Sequence, residues 1–159
     1  MAEATPDDAL QLDDEERELV AQEVAAFLPA LKGERRQRYE VLAEAVTTGS
    51  VPADLLPPLE SLIEMTLQTA RARQLYRAEG ERILTAVYRR TPGGRELSQH
   101  LKDVNAALEA LEGHTVEGVS VRMRTLGHFT ITVRTDGAHM TLSARPESVD
   151  LESVSVGPA

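Results

Sequence analysis

The sequence contains no cysteine and no tryptophan, and aromatic residues make up only 3% of it. The absence of cysteine excludes a disulfide framework, cysteine-ligated zinc or iron–sulfur sites, and a cysteine nucleophile. No apolar run approaches the roughly 18 residues of a transmembrane helix, and the acidic start of the chain is atypical of signal and transit peptides. These absences predict a cytoplasmic protein that does not bind membranes.

Catalytic motifs are also absent. The sequence has no HExxH pair, no glycine-rich dinucleotide turn and no serine nucleophile elbow, and its four histidines are scattered. Lysine occurs only at Lys32 and Lys102, which is untypical of a nucleic-acid-binding protein because such proteins neutralise phosphates with a basic stripe. The sequence therefore favours a non-enzymatic protein without a cofactor, and leaves open an active site assembled from residues distant in sequence.

Negative charge is concentrated at the start of the chain. The 159 residues carry a net charge of −9, and residues 1–18 hold eight acidic residues against one arginine, so most of the excess lies there. This composition predicts a solvated, flexible acidic arm over residues 1–12. The hydrophobic content of 42% is typical of a folded protein and predicts that the residues after the arm form a packed fold.

Apolar residues follow a helical period between residues 13 and 112. Four helices are predicted, beginning near residue 13 and then covering about 34–48, 59–90 and 95–112. The third is long for a globular protein, and Gly80 is its expected break, although the pattern fits one helix or two. Three prolines between residues 50 and 58 predict a loop before it.

The last predicted helix has the most regular apolar stripe. Its leucine and valine residues are spaced 4, 3, 4, 3, as in a coiled-coil seam: Leu97, Leu101, Val104, Leu108 and Leu111. Two heptads are too few to establish a coiled coil, and antiparallel pairing with the long helix fits equally well. The stripe predicts an interaction seam.

From residue 113 to residue 157 the apolar period changes from 3.6 to 2. The pattern predicts an antiparallel meander of three or four strands whose apolar face packs on the helices, forming one compact domain with them. Because strands follow helices without βαβ alternation, the predicted fold class is α+β.

The turns predict the pairing of the strands. Asp136-Gly137 favours a two-residue hairpin that places Val133 opposite Met140. For the preceding hairpin, a three-residue loop over residues 125–127 with a left-handed Gly127 places Met123 opposite Phe129 on the same face. A one-residue slip near residues 152–153 predicts a bulge in the last strand.

These registers place a basic group of side chains on the outer face of the sheet. The candidate ligand-binding residues are Arg122, Arg124, His128, Arg134 and Arg145. Arginines and nearby hydroxyl groups suit a phosphate, a carboxylate or an acidic protein segment. Asp150 and Glu152 have the same outward parity, so ion pairs with them would neutralise part of this charge.

Two weaker candidates lie near the last helix. A basic, glycine-rich turn at residues 89–95 could bind an anion at a helix N-terminus, but it lacks Walker spacing, and an ordinary helix–helix turn fits better. Glu96, His100 and Asp103 share a helix face and could ligate a cation. No further ligand is evident, so a solvated face fits better and no metal is predicted.

The leading hypothesis is therefore a non-enzymatic interaction or assembly protein. It would associate with itself or with a partner protein through its long helices or an exposed sheet edge, because long apolar stripes tend to be covered by a partner. The alternative is a regulatory domain that binds an anionic small molecule or an acidic partner through the arginines of the sheet. Nucleic acid and membranes are not expected partners.

Overall fold

A computed structural model describes residues 9–157 of the chain. The fold class is α+β, as predicted, with five α-helices followed by a four-stranded antiparallel sheet within these residues. The described chain forms two compact units, one ending at Arg95 and the other beginning at Glu96. The sequence placed its boundary at residue 113 instead, and the joining of helices and meander in one domain stays a prediction.

The first unit contains four helices and a pair of two-residue strands. Its helices are α1 (Asp14–Phe27), α2 (Gly33–Thr48), α3 (Leu56–Gln68) and α4 (Arg71–Arg90). Helix α1 begins where the acidic residues predict, because Asp13 and Glu16 form a capping box in which each side chain accepts a hydrogen bond from the other's backbone N–H. Helix α2 ends at Gly49, whose φ of 81° closes it as expected.

The two short strands were not predicted from the sequence. Strand β1 (Leu10–Gln11) pairs antiparallel with β2 (Ser50–Val51), and Leu10 is buried in the core of the first unit. The last residues of the predicted arm are therefore part of the fold, which corrects the arm's expected end at residue 12. Residues 1–8, which hold the rest of the predicted arm, lie outside the described residues.

The predicted long third helix is two helices. Ala70 has a left-handed φ of 57° between α3 and α4, and Arg77 interrupts α4 with φ 60° and ψ −159°. The expected break at Gly80 is therefore wrong. Helix α3 also starts earlier than predicted, at Leu56, so that Pro57 and Pro58 lie in its first turn. Proline is tolerated there because the N–H groups of a first turn have no partner within the helix.

The second unit consists of the larger part of helix α5 (Pro92–Leu108) and the sheet. The strands are β3 (Val116–Thr125), β4 (His128–Thr135), β5 (Ala138–Ala144) and β6 (Val149–Val156), paired in chain order. Helix α5 begins three residues before the predicted start and ends in a short 3₁₀ turn, Glu109–Leu111.

The predicted strand registers are confirmed. Val133 lies opposite Met140, and Met123 lies opposite Phe129. Gly127 has the expected left-handed φ of 78°, although the loop is one residue shorter than predicted because the chain bulges between Met123 and Thr125. The bulge in β6 is also present, where the register shifts so that Thr141 pairs with Ser153 and Leu142 with Leu151.

Helix α5 covers only part of the apolar face of the sheet. Val104 is buried against Met140 and Leu142, with Leu108 and Leu111 packed around them. A helix is about 10–12 Å wide, whereas four strands spaced about 4.8 Å apart span more than that. The predicted packing of the apolar face on helices therefore holds at the centre of the sheet and fails at β3. No helix in residues 9–157 is both long and apolar enough to cross a membrane.

Candidate functional site

Strand β3 exposes an apolar surface. Val119, Val121 and Met123 project to one face and are 61%, 62% and 64% exposed. Phe129, opposite Met123 on β4, is also exposed. We call these four residues the β3 apolar surface. Contiguous exposed apolar side chains of this kind mark interaction sites more often than isolated ones do.

The outer edge of β3 is unpaired within the described chain, since β3 is the first strand in the sheet order. Its register with β4 is regular over residues 118–123 and shifts at either end, between Val116 and Gly118 and between Met123 and Thr125. Bulges commonly protect sheet edges. Here they lie at the ends of the strand, so the regular central stretch has a free edge.

The opposite face of the same hairpin forms a polar cleft of about 530 Å³. Its lining residues are Gly118, Val119, Ser120, Arg122, Thr132, Arg134, His139 and Thr141. Gly118 matters for its shape, because a side-chain carbon there would lie 3.1 Å from Nη2 of Arg134. Because glycine has no side chain, the guanidinium group of Arg134 has room at this position. We call this feature the arginine cleft.

The structure brings two of the five candidate ligand residues together and places the other three elsewhere. Arg122 and Arg134 line the arginine cleft. Nη1 of Arg124 donates to Oε1 of Glu152 at 2.6 Å, and His128 Nε2 lies 2.6 Å from Ser143 Oγ. Arg145 is exposed in the turn between β5 and β6.

The acidic residues of β6 are engaged outside the cleft. Glu152 pairs with Arg124, the kind of cross-strand neutralisation that the sequence predicted. Asp150 lies 2.9 Å from Nε2 of His100 and accepts a hydrogen bond from Ser148 Oγ at 2.9 Å. The charges of Arg122 and Arg134 are therefore left without an ion-pair partner among residues 9–157.

The predicted interaction seam lies mainly against the sheet. Val104, Leu108 and Leu111 pack in the core of the second unit. Leu97 is partly buried, whereas Leu101 is 38% exposed. The apolar stripe of α5 is thus used largely within the unit, and a role for these residues in association stays a prediction.

The two weaker candidates have partners within the chain. At the N-terminus of α5 the backbone N–H of Gly93 donates to Oε1 of Glu60 at 2.7 Å, so the protein's own carboxylate takes the anion position. His100 contacts Asp150 rather than Glu96 and Asp103. Within residues 9–157 no group of three or more histidine, aspartate or glutamate side chains is placed to hold a metal ion.

A buried carboxylate in the first unit was missed from the sequence. Glu23 accepts hydrogen bonds from Thr66 Oγ1 at 3.0 Å, Arg71 Nε at 2.9 Å and Tyr76 Oη at 2.6 Å. Burial of the Tyr76 ring, together with its bond to Glu23, raises the pKa of Tyr76 to about 12. These partners lie 43 to 53 residues away, so no local pattern could have revealed them.

Comparison of the chain with protein-family models, curated proteins and solved structures found no match. The two surfaces of the β3–β4 hairpin are therefore the basis for assigning a function.

Proposed function

We propose that this chain is a non-enzymatic assembly protein that self-associates through the β3 apolar surface. The observation that carries the proposal is the exposure of Val119, Val121 and Met123, each above 60%, on one face of one strand. In the interior of the same sheet, Met140 and Leu142 are buried by helix α5. The β3 apolar surface is the part of the apolar face that lacks such a cover.

A second copy of the chain is the proposed cover because the surface is apolar and uncharged. The charged residues of β3 alternate with the apolar ones, so Arg122 projects to the opposite face and lines the arginine cleft. Two copies can pack these surfaces face to face, as sheets do in a sandwich, without burying a charge. Such a contact uses the same patch on both copies and closes as a dimer.

The buried apolar area supports a weak dimer if the cost of association lies at the low end of its range. Full burial of a valine or methionine side chain contributes about 1.5–3 kcal/mol, and these three side chains have somewhat over half of that still to gain. Two copies together would gain on the order of 6–12 kcal/mol, against an association cost of about 4–15 kcal/mol. The midpoints of these two ranges cancel, and only the largest gain with the smallest cost leaves about 8 kcal/mol, which corresponds to a dissociation constant on the order of micromolar.

The test is sedimentation velocity of the full chain across concentrations of about 1–100 μM, which bracket that constant. The wild-type protein should shift from monomer to dimer, and Val121→Glu should remain a monomer because dimerisation would bury an unpaired carboxylate. Val41→Glu is the matched control. Val41 is an exposed valine on helix α2, 52% exposed, and this variant should dimerise like the wild type.

Three results would overturn the proposal. The first is a wild-type protein that is monomeric over the whole range. The second is a dimer that survives Val121→Glu while circular dichroism shows the fold unchanged. If native mass spectrometry of the protein from its own cells shows a stoichiometric complex with a different chain and no homodimer, self-association is likewise refuted and a hetero-complex replaces it.

A further inference from the structure

We infer that the arginine cleft is a binding site for a small molecule carrying a phosphate group. The inference is independent of self-association, because the cleft lies on the polar face of the hairpin and is formed within one copy of the chain. It rests on the charge, the arrangement and the chemistry of the residues that line the cleft.

The cleft is positively charged and lacks a compensating carboxylate. Its lining includes Arg122, Arg134 and His139 and contains no acidic side chain. The two acidic residues of β6 have other partners: Glu152 pairs with Arg124, and Asp150 contacts His100. Two uncompensated guanidinium groups in one cleft favour an anion there.

A neighbouring depression at the β4–β5 turn contains two carboxylates. It is lined in part by Arg134, His139, Glu117 and Asp136. Asp136 accepts from the backbone N–H of Thr115 at 3.2 Å, and its Oδ1 lies 2.9 Å from His114 Nδ1. The hydrogen bond with His114 is the main reason that the pKa of Asp136 lies below its usual value. Asp136 is therefore engaged away from the cleft, and Glu117 lies at a bulge beyond its end.

The register fixes how the two arginines face a ligand. Arg122 is paired with Thr130, and Arg134 with Gly118. Between the two arginines lie three hydroxyl side chains on neighbouring strands, which we call the hydroxyl row. Ser120 on β3 pairs with Thr132 on β4, and Thr132 pairs with Thr141 on β5. The two arginines are thus offset by four residues, or about 13 Å along the strands. A ligand resting on the hydroxyl row would meet one guanidinium group at each end.

This set of donors suits a phosphate better than a single carboxylate. A guanidinium group binds two oxygens of a phosphate or of a carboxylate side by side. A phosphate has further oxygens that can accept from the hydroxyl groups of Ser120, Thr132 and Thr141, whereas a single carboxylate has only two. A volume of about 530 Å³ lies within the range of small-molecule sites. No phenylalanine, tyrosine or tryptophan side chain lines the cleft for stacking on a nucleobase, so the expected ligand is a phosphate on a polar, hydroxylated body.

The experiment is a titration of the ¹⁵N-labelled full chain with inorganic pyrophosphate at constant ionic strength, followed by amide chemical shifts. We expect saturable shifts confined to the cleft residues, with a dissociation constant of about 1 mM or lower. Arg122→Gln and Arg134→Gln should each weaken binding by about tenfold or more, because each removes a charge-assisted contact. Arg145→Gln is the matched control, since it removes an exposed arginine of the same sheet outside the cleft, and it should bind as tightly as wild type.

Three outcomes would overturn the inference. One is the absence of saturable shifts at about 10 mM pyrophosphate. Another is an equal loss of affinity in Arg145→Gln, which would indicate attraction to the overall charge of the sheet rather than a site. The third is equal binding of citrate, a polycarboxylate, at the same ionic strength, which would show that the cleft does not select phosphate.

Discussion

Replacement of Glu23 by glutamine tests the contact that joins three helices of the first unit. The Glu23 side chain on α1 is 2% exposed and bonds to Thr66 on α3 and to Arg71 and Tyr76 on α4. Glutamine has nearly the same shape, so the change leaves no cavity. It removes the negative charge and turns one of the two accepting oxygens into an N–H donor.

The expected loss of stability follows from those bonds. A hydrogen bond to a charged group contributes about 1.5–3 kcal/mol, against about 0.5–1.5 kcal/mol for a neutral one. The Thr66 hydroxyl has one proton and can donate it to the backbone carbonyl of Leu62 instead. Glutamine thus keeps one acceptor for the two donors Arg71 and Tyr76, and the Arg71 side chain, 42% exposed, can recover part of its loss by binding water. We therefore expect Glu23→Gln to destabilise the first unit by about 2–3 kcal/mol.

Tyrosine fluorescence during urea unfolding is the appropriate assay. The protein has no tryptophan, and its three tyrosines, Tyr39, Tyr76 and Tyr88, all precede residue 96. The signal therefore reports on the first unit alone. A loss of 2–3 kcal/mol should lower the unfolding midpoint by about 1 M urea or more. Glu18→Gln is the control, because Glu18 is an exposed glutamate on the same helix, and its effect should be within about 0.5 kcal/mol.

The same variant should change the alkaline titration of Tyr76. The pKa of this tyrosine is raised to about 12 in the folded protein, mainly by burial and then by the bond to Glu23. A raised tyrosine pKa stabilises the fold below the unfolded pKa of about 10, and that contribution is lost as the pH rises towards 12. In Glu23→Gln the tyrosinate absorbance should appear at lower pH. A midpoint and a titration that both match wild type would refute the role assigned to Glu23.

Two further substitutions, each with a matched control, test the backbone of the first unit by the same assay. Arg77→Gly should stabilise it by about 1 kcal/mol, since Arg77 occupies a glycine-like conformation that costs about 1–3 kcal/mol, partly offset by the entropy of glycine. The control Gln74→Gly, at a regular helical position, should destabilise the unit by a similar amount. If Gln74→Gly is the more stable of the two variants, the backbone at Arg77 is not strained. Gly94→Ala should cost about 2 kcal/mol or more, because the added carbon would lie 1.9 Å from the carbonyl oxygen of Tyr88. Gly93→Ala, whose new carbon meets only a flexible side chain at 3.2 Å, should cost less, and an equal cost would argue against the close approach.

The strand registers could be predicted because they depend on neighbours in sequence. Side chains alternate between faces with a period of two, so a shift of one residue would exchange the buried and exposed sets. The turns then select among the remaining registers, and Asp136-Gly137 and Gly127 are residues that those turns favour. Together these local features sufficed for the pairing of Val133 with Met140 and of Met123 with Phe129.

The break in the long helical segment could not be predicted in the same way. Neither Ala70 nor Arg77 belongs to a residue type that favours positive φ, and glycine at position 80 was the natural candidate. In the structure Gly80 remains helical and packs against the Tyr76 side chain. Tyr76 in turn bonds to Glu23, 53 residues away. The kink therefore accompanies contacts between distant parts of the chain, which override local propensity.

The sequence predicted which face of the sheet carries the candidate site residues, but it did not predict which of them line a common cleft. Strand parity places all five basic residues outside the apolar core, but it gives no distances across a twisted sheet. Arg124 on β3 reaches Glu152 on β6, two strands beyond its neighbour, and only Arg122 and Arg134 remain in the cleft. The exposure of one strand could have been predicted from the sequence, because a single helix about 10–12 Å wide cannot cover a sheet of four strands.

Strand β3 carries both proposed functions on opposite faces. Val121 belongs to the apolar surface and its neighbour Arg122 to the cleft, so face-to-face packing of two copies leaves the cleft open to solvent. A slip of one residue would place the arginine in the apolar contact and the valine in the cleft. The register is held at both ends of the strand, by the shift between Val116 and Gly118 and by the turn at Gly127. The bulges and the turn glycine are thus what keep the two surfaces separate.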